Sequence, residues 1–441
     1  MVTSAREEIR AVVEERARRD SLDEVASLRS DGHAEQTVRS EYHGRFLIEL
    51  LQNARDAAMK AAKLDTSGRS WGRLRIELGP GSLVVANQGV PVTPKVLLYS
   101  LGKFGESTKP HGEGIGHKGI GFKSVLEVSL TPELYSREAD TGPFDLAVRF
   151  DPEWAVGLVQ ARSANLAQLV EELPAESVDD PVATIPVLAF PQWVDDPVSG
   201  WEGFNTVVRL VHEPRFDALL GLDADEWQRR ACTAVDALSD QIVVLLAAFD
   251  RIEIAVEGDA EQVIERRVLH EHGGDLRVSD VEVVRGGMTS TRWRLFERSL
   301  EGYEGLTGDH AVGVRLVELG GRLHPAQPWV GEPGDSGGGC FHLFFPTEIP
   351  TRLPFLLHAY FSVNASRTRF ARDADAHNRA LLLDGLEALV ADAVTALVED
   401  ADVDPAPLAG LFAENDTQQG DGLAAEFRRR VLTRLDGLAW V

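Results

Sequence analysis

Residues 113–125 read EGIGHKGIGFKSV, with glycines at Gly116, Gly119 and Gly121 and lysines at Lys118 and Lys123. A run that gives up three side chains so close together lets something approach the main chain. Backbone N–H groups at a glycine-rich turn leading into a helix make an anion site: the missing Cβ atoms admit the ligand, and the helix dipole favours its charge. Gly116-His117-Lys118-Gly119-Ile120-Gly121, followed by the helix-prone Phe122-Lys123-Ser124-Val125, fits that description, and phosphate is the ligand read from it. The run is not a P-loop, since no Gly-Lys-Ser/Thr closes it, and by itself it describes many ordinary tight turns.

Upstream, EYHGRFLIELLQNARDAAMKAA (41–62) has helical periodicity. Leu47, Leu50, Leu51, Ala54, Ala57 and Ala58 fall on one apolar arc. Glu49, Asn53 and Asp56, related as i, i+4 and i+7, share the opposite face. A surface helix with a wet side satisfies that pattern. So does a site: an amide oxygen and carboxylates on one face offer hard ligands to Mg²⁺, which keeps waters and prefers a few protein oxygens plus phosphates. A glutamate one turn earlier can polarise an attacking water.

Taken together, these stretches resemble the GHKL superfamily, the gyrase, heat-shock chaperone, histidine kinase and MutL ATPases. Glu49-Leu50-Leu51-Gln52-Asn53-Ala54-Arg55-Asp56-Ala57 resembles its N box, and Ile115 to Phe122 its phosphate-binding glycine box. Between them, Leu83-Val84-Val85-Ala86-Asn87-Gln88-Gly89 sits where the family has a strand and then Asp-x-Gly. All three occur in family order at family-like spacing. The sacsin and NO VEIN type ATPase domains are the nearest in flavour, with a similar glycine box and often Asn in the adenine box. Leu101-Gly102-Lys103 through Ser107-Thr108-Lys109 also resembles the start of the chaperone lid. The resemblance covers roughly 40–215 and extends more weakly to about 370.

What the resemblance implies is an α+β Bergerat fold, a mixed sheet on one face of a helix layer, with ATP held between helices and a lid over roughly 100–118. Glu49 is then the general base, Asn53 the Mg²⁺ ligand, and Asp56 a support on the nucleotide side of that helix. Gly116, Lys118, Gly119, Gly121 and Phe122 wrap the phosphates, mostly through backbone N–H, with Ile120 in the same box and Ser107 and Lys109 at the lid start. His117 reads first as lid-exposed and second as a phosphate contact. In the adenine box an Asp usually accepts from the exocyclic amine; Asn87, before Gly89, can accept but can also donate, which leaves nucleotide preference open. Pro91 stands where a second glycine is common. Thr206 is either the family's threonine near the adenine or an ordinary strand residue. In LPFLLHAYFSVNASRTRF (353–370), Arg367, with Arg369 in reserve, is the candidate cation that a second domain brings to the γ-phosphate; a solvated arginine pair is the plainer reading.

The rest of the chain sets bounds. Its 441 residues suggest two or three domains: an ATP-binding domain over 1–213, a transducer-like α/β domain over 214–375 and a helical segment over 376–441. Helices are expected near 4–29, 41–63, just after Gly121, through 224–249 and over 377–400, and strands at 73–78, 82–86, 145–150, 205–211, 251–256 and within 263–345. A net charge of −25 argues against wholesale nucleic-acid binding. Two distant cysteines give neither a disulfide framework nor a zinc module and fit a reducing cytoplasm. A charged N-terminus and short apolar runs point away from a signal peptide or a membrane span. His270-Glu271-His272 has no evident third ligand and is not read as a metal site.

The function expected is slow Mg²⁺-dependent ATP hydrolysis driving a chaperone-like conformational cycle on a protein client or partner, with homodimerisation on ATP binding following from the superfamily alone. An alternative is a low-turnover nucleotide-sensing module of a larger assembly, such as bacterial anti-phage defence. A protein kinase fits less well, because kinase members usually carry Asn or His where Glu49 stands, and no phosphoacceptor helix pair precedes it.

Overall fold

A computed structural model describes residues 4–18, 21–41, 44–67, 70–101, 121–165, 185–299, 309–328, 339–364, 367–414 and 422–436. The chain is α+β and divides into two compact units, one of residues 1–110, 116–235 and 252–262, the other of 111–115, 236–251 and 263–441.

Three helices open the first unit: α1 (Ala5–Ala17), α2 (Leu22–Glu41) and α3 (Phe46–Leu64). The expected single N-terminal helix is therefore two. Ser4 starts α1 through a capping box with Glu7, which satisfies orphan N–H groups at both positions. Buried Arg16, near the end of α1, donates to Ala189 O at 2.7 Å and Leu98 O at 2.5 Å. The helix expected from residue 41 begins at Phe46 instead, because Gly44 takes a left-handed φ of 75° and breaks the run.

Seven strands make the first unit's sheet: β1 (Arg73–Gly79), β2 (Ser82–Asn87), β3 (Glu133–Ser136), β4 (Leu146–Phe150), β5 (Pro191–Trp193), β6 (Thr206–Val211) and β7 (Arg251–Val256), in the order β7-β1-β2-β6-β3-β4-β5. The pairs from β1 through β5 are antiparallel. Strand β1 alternates, burying Leu74, Ile76 and Leu78, whereas β2 is buried along nearly its whole length, as a central strand should be. Pro80 and Gly81 turn between them, with Gly81 at φ 67° where a side chain would be strained. Helix α3 packs on β2.

Helix resumes at Gly121 as expected, in the form of a 3₁₀ helix over Gly121–Glu127. All six residues from Phe122 to Glu127 are buried, between α2 and α3. Ser124 Oγ donates to Gly121 O at 2.7 Å and tightens the turn. Later in this unit come α4 (Pro152–Arg162) and α5 (Ala224–Asp236). Helix α5 is anchored by fully buried Trp227, whose indole N–H donates to Val128 O at 2.7 Å, so the unit runs past the expected boundary at 213.

In the second unit α6 (Asp240–Leu245) precedes β8 (Gln262–His272), β9 (Arg277–Arg285), β10 (Met288–Ser299), β11 (Asp309–Leu319), β12 (Arg322–Ala326), β13 (Cys340–Leu343), β14 (Phe345–Pro350) and β15 (Leu356–His358). Their order is β14-β13-β15-β11-β10-β9-β8 with β12 on β11, and the β13–β15 pair is parallel. The helical run 375–399, ending in α7 (Glu387–Glu399), and then α8 (Ala406–Glu414) and α9 (Leu423–Asp436) belong to this unit rather than standing apart. Leu382, Leu389 and Phe427 share one core with Phe296, Phe341 and Leu357. Among the described residues no helix is long and apolar enough to cross a membrane.

Candidate functional site

Helix α3 carries the polar stripe expected of it. Leu47, Leu50, Leu51, Ala54 and Ala58 are buried, while Glu49, Asn53 and Asp56 are half-buried on the other side. A freely solvated face would leave those three exposed. Buried Arg55 sits beside the stripe, with Nη1 at 3.4 Å from Asp56 Oδ1.

Two glycines from elsewhere in the chain fit against this helix. A Cβ on Gly121 would lie 2.4 Å from Glu49 Oε2, so the end of the glycine run occupies the space next to that carboxylate. At Gly89, with φ 150°, a Cβ would lie 2.6 Å from Ala57 C and 2.8 Å from Ala58 N. Val90 N donates to Ala57 O at 3.1 Å, which fixes main chain against main chain. The turn after β2 is thereby docked beside Asp56.

At the end of β2, Asn87 is the register partner of Thr206 on β6, and Thr206 is the partner of Ser136 on β3. Cross-strand partners share a face, so the three polar side chains line up across three strands. All three are buried. Ser136 Oγ lies 3.2 Å from Thr206 Oγ1, donates to Asn205 O at 3.1 Å and accepts from Val92 N at 2.8 Å. Asn87 Nδ2 donates to Gln88 O at 2.9 Å, which leaves its Oδ1 as the atom with acceptor capacity.

Sequence reasoning missed Asn205. It is almost wholly buried; Oδ1 accepts from Gly89 N at 3.2 Å, and Nδ2 reaches Arg137 O at 3.4 Å and Glu138 O at 3.3 Å. Its place immediately before Thr206 was the only available signal. Glu127 was missed too. Both its oxygens accept from Gly44 N, at 2.7 and 2.9 Å, and Oε1 lies 3.6 Å from Arg230 Nη1 of α5. The carboxylate therefore stands at the N-terminal approach to α3, where the helix dipole favours negative charge.

Lys123 of the glycine motif is turned into the core. Its Nζ lies 3.7 Å from Glu35 Oε1 of α2, with the lysine side chain 1 % and the glutamate 0 % exposed. Burial pushes the Glu35 carboxyl up to about 7, against the pull of Lys123 and the amides of Val187 and Leu188, and the same burial lowers the Lys123 ammonium.

The expected site residues Ser107, Lys109, Gly116, His117, Lys118, Gly119 and Ile120 lie outside the described residues, as does most of the expected lid. Phe122 is described and is buried, with its ring 6.2 Å from that of Phe150. Arg367, in the second unit, is neither solvated nor at a surface: it is 6 % exposed, has a left-handed φ of 51°, and its Nη1 lies 3.4 Å from Leu343 O and from Phe345 O. Arg369 is the exposed member of the pair. His270 and His272 are exposed on β8 and, two apart, share one side of the strand. Among the described residues no group of three or more His, Cys, Asp or Glu could hold a metal ion. A cleft of about 840 Å³ lies apart from the polar stripe, lined by charged residues including Glu7, Arg10, Glu14 and Arg162.

No protein-family model matches the chain, and no curated protein matches it.

Proposed function

We propose that the first unit is a GHKL-type ATPase domain of Bergerat fold, binding ATP with Mg²⁺ along α3 and hydrolysing it to ADP and phosphate. The observation that carries this reading is the placement of the Glu49 carboxylate against Gly121, which brings the catalytic carboxylate of the N box to the last glycine of the phosphate box. Gly89 packed on Ala57 and the Asn87–Thr206 register pair add support, since they set the nucleobase end of such a site beside the same helix.

Each residue then has a task. Asn53, half-buried between Glu49 and Asp56 on the stripe, offers a hard amide oxygen suited to Mg²⁺. The ion, when bound, neutralises charge on the phosphate oxygens. Glu49 accepts a proton from the attacking water as oxygen bonds to the γ-phosphorus and the bond to the β–γ bridging oxygen breaks, giving ADP and phosphate. Asn87, with one amide N–H on Gln88 O, offers its Oδ1 as an acceptor, which suits the exocyclic amine of adenine. On the second unit, a transducer-like domain in this reading, Arg369 rather than the buried Arg367 is the cation that a docking partner surface could use. The cycle serves a cytoplasmic protein client or partner.

Phosphate release under single-turnover conditions tests the reading. Glu49→Gln is expected to bind ATP as wild type does and to release phosphate about 10²–10⁴-fold more slowly, the range for loss of a positioned general base. Equal rates in variant and wild type would assign turnover to some other group.

A further inference from the structure

We propose that the buried Glu35–Lys123 ion pair positions Gly121 against the Glu49 carboxylate, which makes α2 part of the hydrolytic machinery although it lies outside the stretch that resembles the family. The proposal rests on Glu49 being the base. Neither partner touches a reacting group, so both are positioning residues.

Burying two charges is costly, and apolar residues of similar volume commonly hold two elements together as well or better. What an ion pair adds is a fixed register between the elements that carry it. Glu35 is well placed to set one. Its other oxygen accepts from Val187 N at 2.8 Å. One turn earlier on α2, Gly32 abuts the same segment so closely that a Cβ would lie 3.0 Å from Ile185 C. Helix α2 is thus seated on 185–188 by two neighbouring positions, and the Gly121–Glu127 turn hangs on the carboxylate between them.

That turn is held at three points. Lys123 ties it to α2. Two residues before, Gly121 fills the space beside Glu49 Oε2. Four residues after, Glu127 grips Gly44 N just ahead of α3. Only Phe122 separates Lys123 from Gly121, and the segment from Phe122 to Glu127 is buried in a close-packed interior, so a shift at Lys123 carries to Gly121. A misplacement of about 1 Å can lower a rate by about 10²-fold.

The test is a double-mutant cycle on the full chain at about pH 8, where the Glu35 carboxyl is mostly ionised, with Glu35→Gln, Lys123→Met and both together, read by steady-state ATP hydrolysis and by hydrogen exchange. Each single change is expected to lower kcat by about 10-fold or more with KM little altered, and the double to fall no further, because both remove one lock. Exchange should speed in 121–127 and at the start of α3 and stay unchanged in β1 and β2. A kcat within about two-fold of wild type, additive losses, or exchange that rises uniformly would overturn the proposal. If wild type hydrolyses no ATP, the base assignment fails, and exchange alone decides whether the pair sets the turn. If a single variant does not fold, Glu35→Leu with Lys123→Met keeps the packing. It is expected to fold and still lose kcat, and a folded double with wild-type kcat would overturn the idea.

Discussion

Gly89 and Gly121 both face α3, yet substitution should affect them differently. At Gly89 an added Cβ meets main-chain atoms of Ala57 and Ala58, and the φ of 150° is unfavourable for any side chain. Gly89→Ala is expected to cost about 2–4 kcal/mol in urea unfolding, since neither backbone can yield cheaply. At Gly121 the one severe contact of the added Cβ is with the carboxylate end of the flexible Glu49 side chain. Gly121→Ala should therefore leave stability within about 1 kcal/mol of wild type while displacing the carboxylate and lowering kcat. Comparable stability losses in both variants would contradict this contrast. Glu35 gives a pH signature. Its carboxyl is raised from 4.5 to about 7 in the folded chain, so the fold holds this proton where the unfolded chain releases it. The stabilisation is full below the unfolded value and is lost as pH rises through the folded one. Lys123, lowered by burial, acts in the opposite sense, with its contribution lost as pH falls through its folded value. Unfolding titrations should show wild type losing stability relative to Glu35→Gln as pH rises from 4.5 through about 7; a constant difference would contradict the buried assignment.

The elements were legible where pattern is local. The alternation in β1 and the apolar run of β2 gave both strands nearly to the residue, and the 3.6-residue period of α3 gave its two faces. The helix after Gly121 was legible, but the burial of Lys123 against Glu35 was not, because Glu35 belongs to a distant helix. Likewise nothing local to Gly-Phe-Asn-Thr marks Asn205 as the residue that satisfies Gly89 N and two carbonyls. Asn205→Ala would strand those buried groups. It is expected to cost about 1–3 kcal/mol by urea unfolding and to weaken nucleotide binding, because the turn after β2 loses its tie to β6. Unchanged stability would mean the amide is not the anchor described.

Across the whole molecule, the compact units gather segments that the linear reading had divided differently. The first unit runs to 235 and regains 252–262, and residues after 376 complete the core of the second. Such assignments depend on contacts between segments far apart in sequence, which periodicity does not encode. Charge, by contrast, is additive and was readable at once. At −25 the chain should show no retention by double-stranded DNA at physiological salt in a mobility shift, and a shifted band would point to a local basic surface. The most direct measurement is calorimetric titration of ATP and GTP into the full chain, with and without Mg²⁺, for wild type and Asn53→Ala. Wild type should bind ATP in preference to GTP with an affinity that rises with Mg²⁺, and Asn53→Ala should lose the Mg²⁺-dependent part. No heat of binding with wild type, or the same Mg²⁺ dependence in the variant, would contradict a nucleotide site on α3.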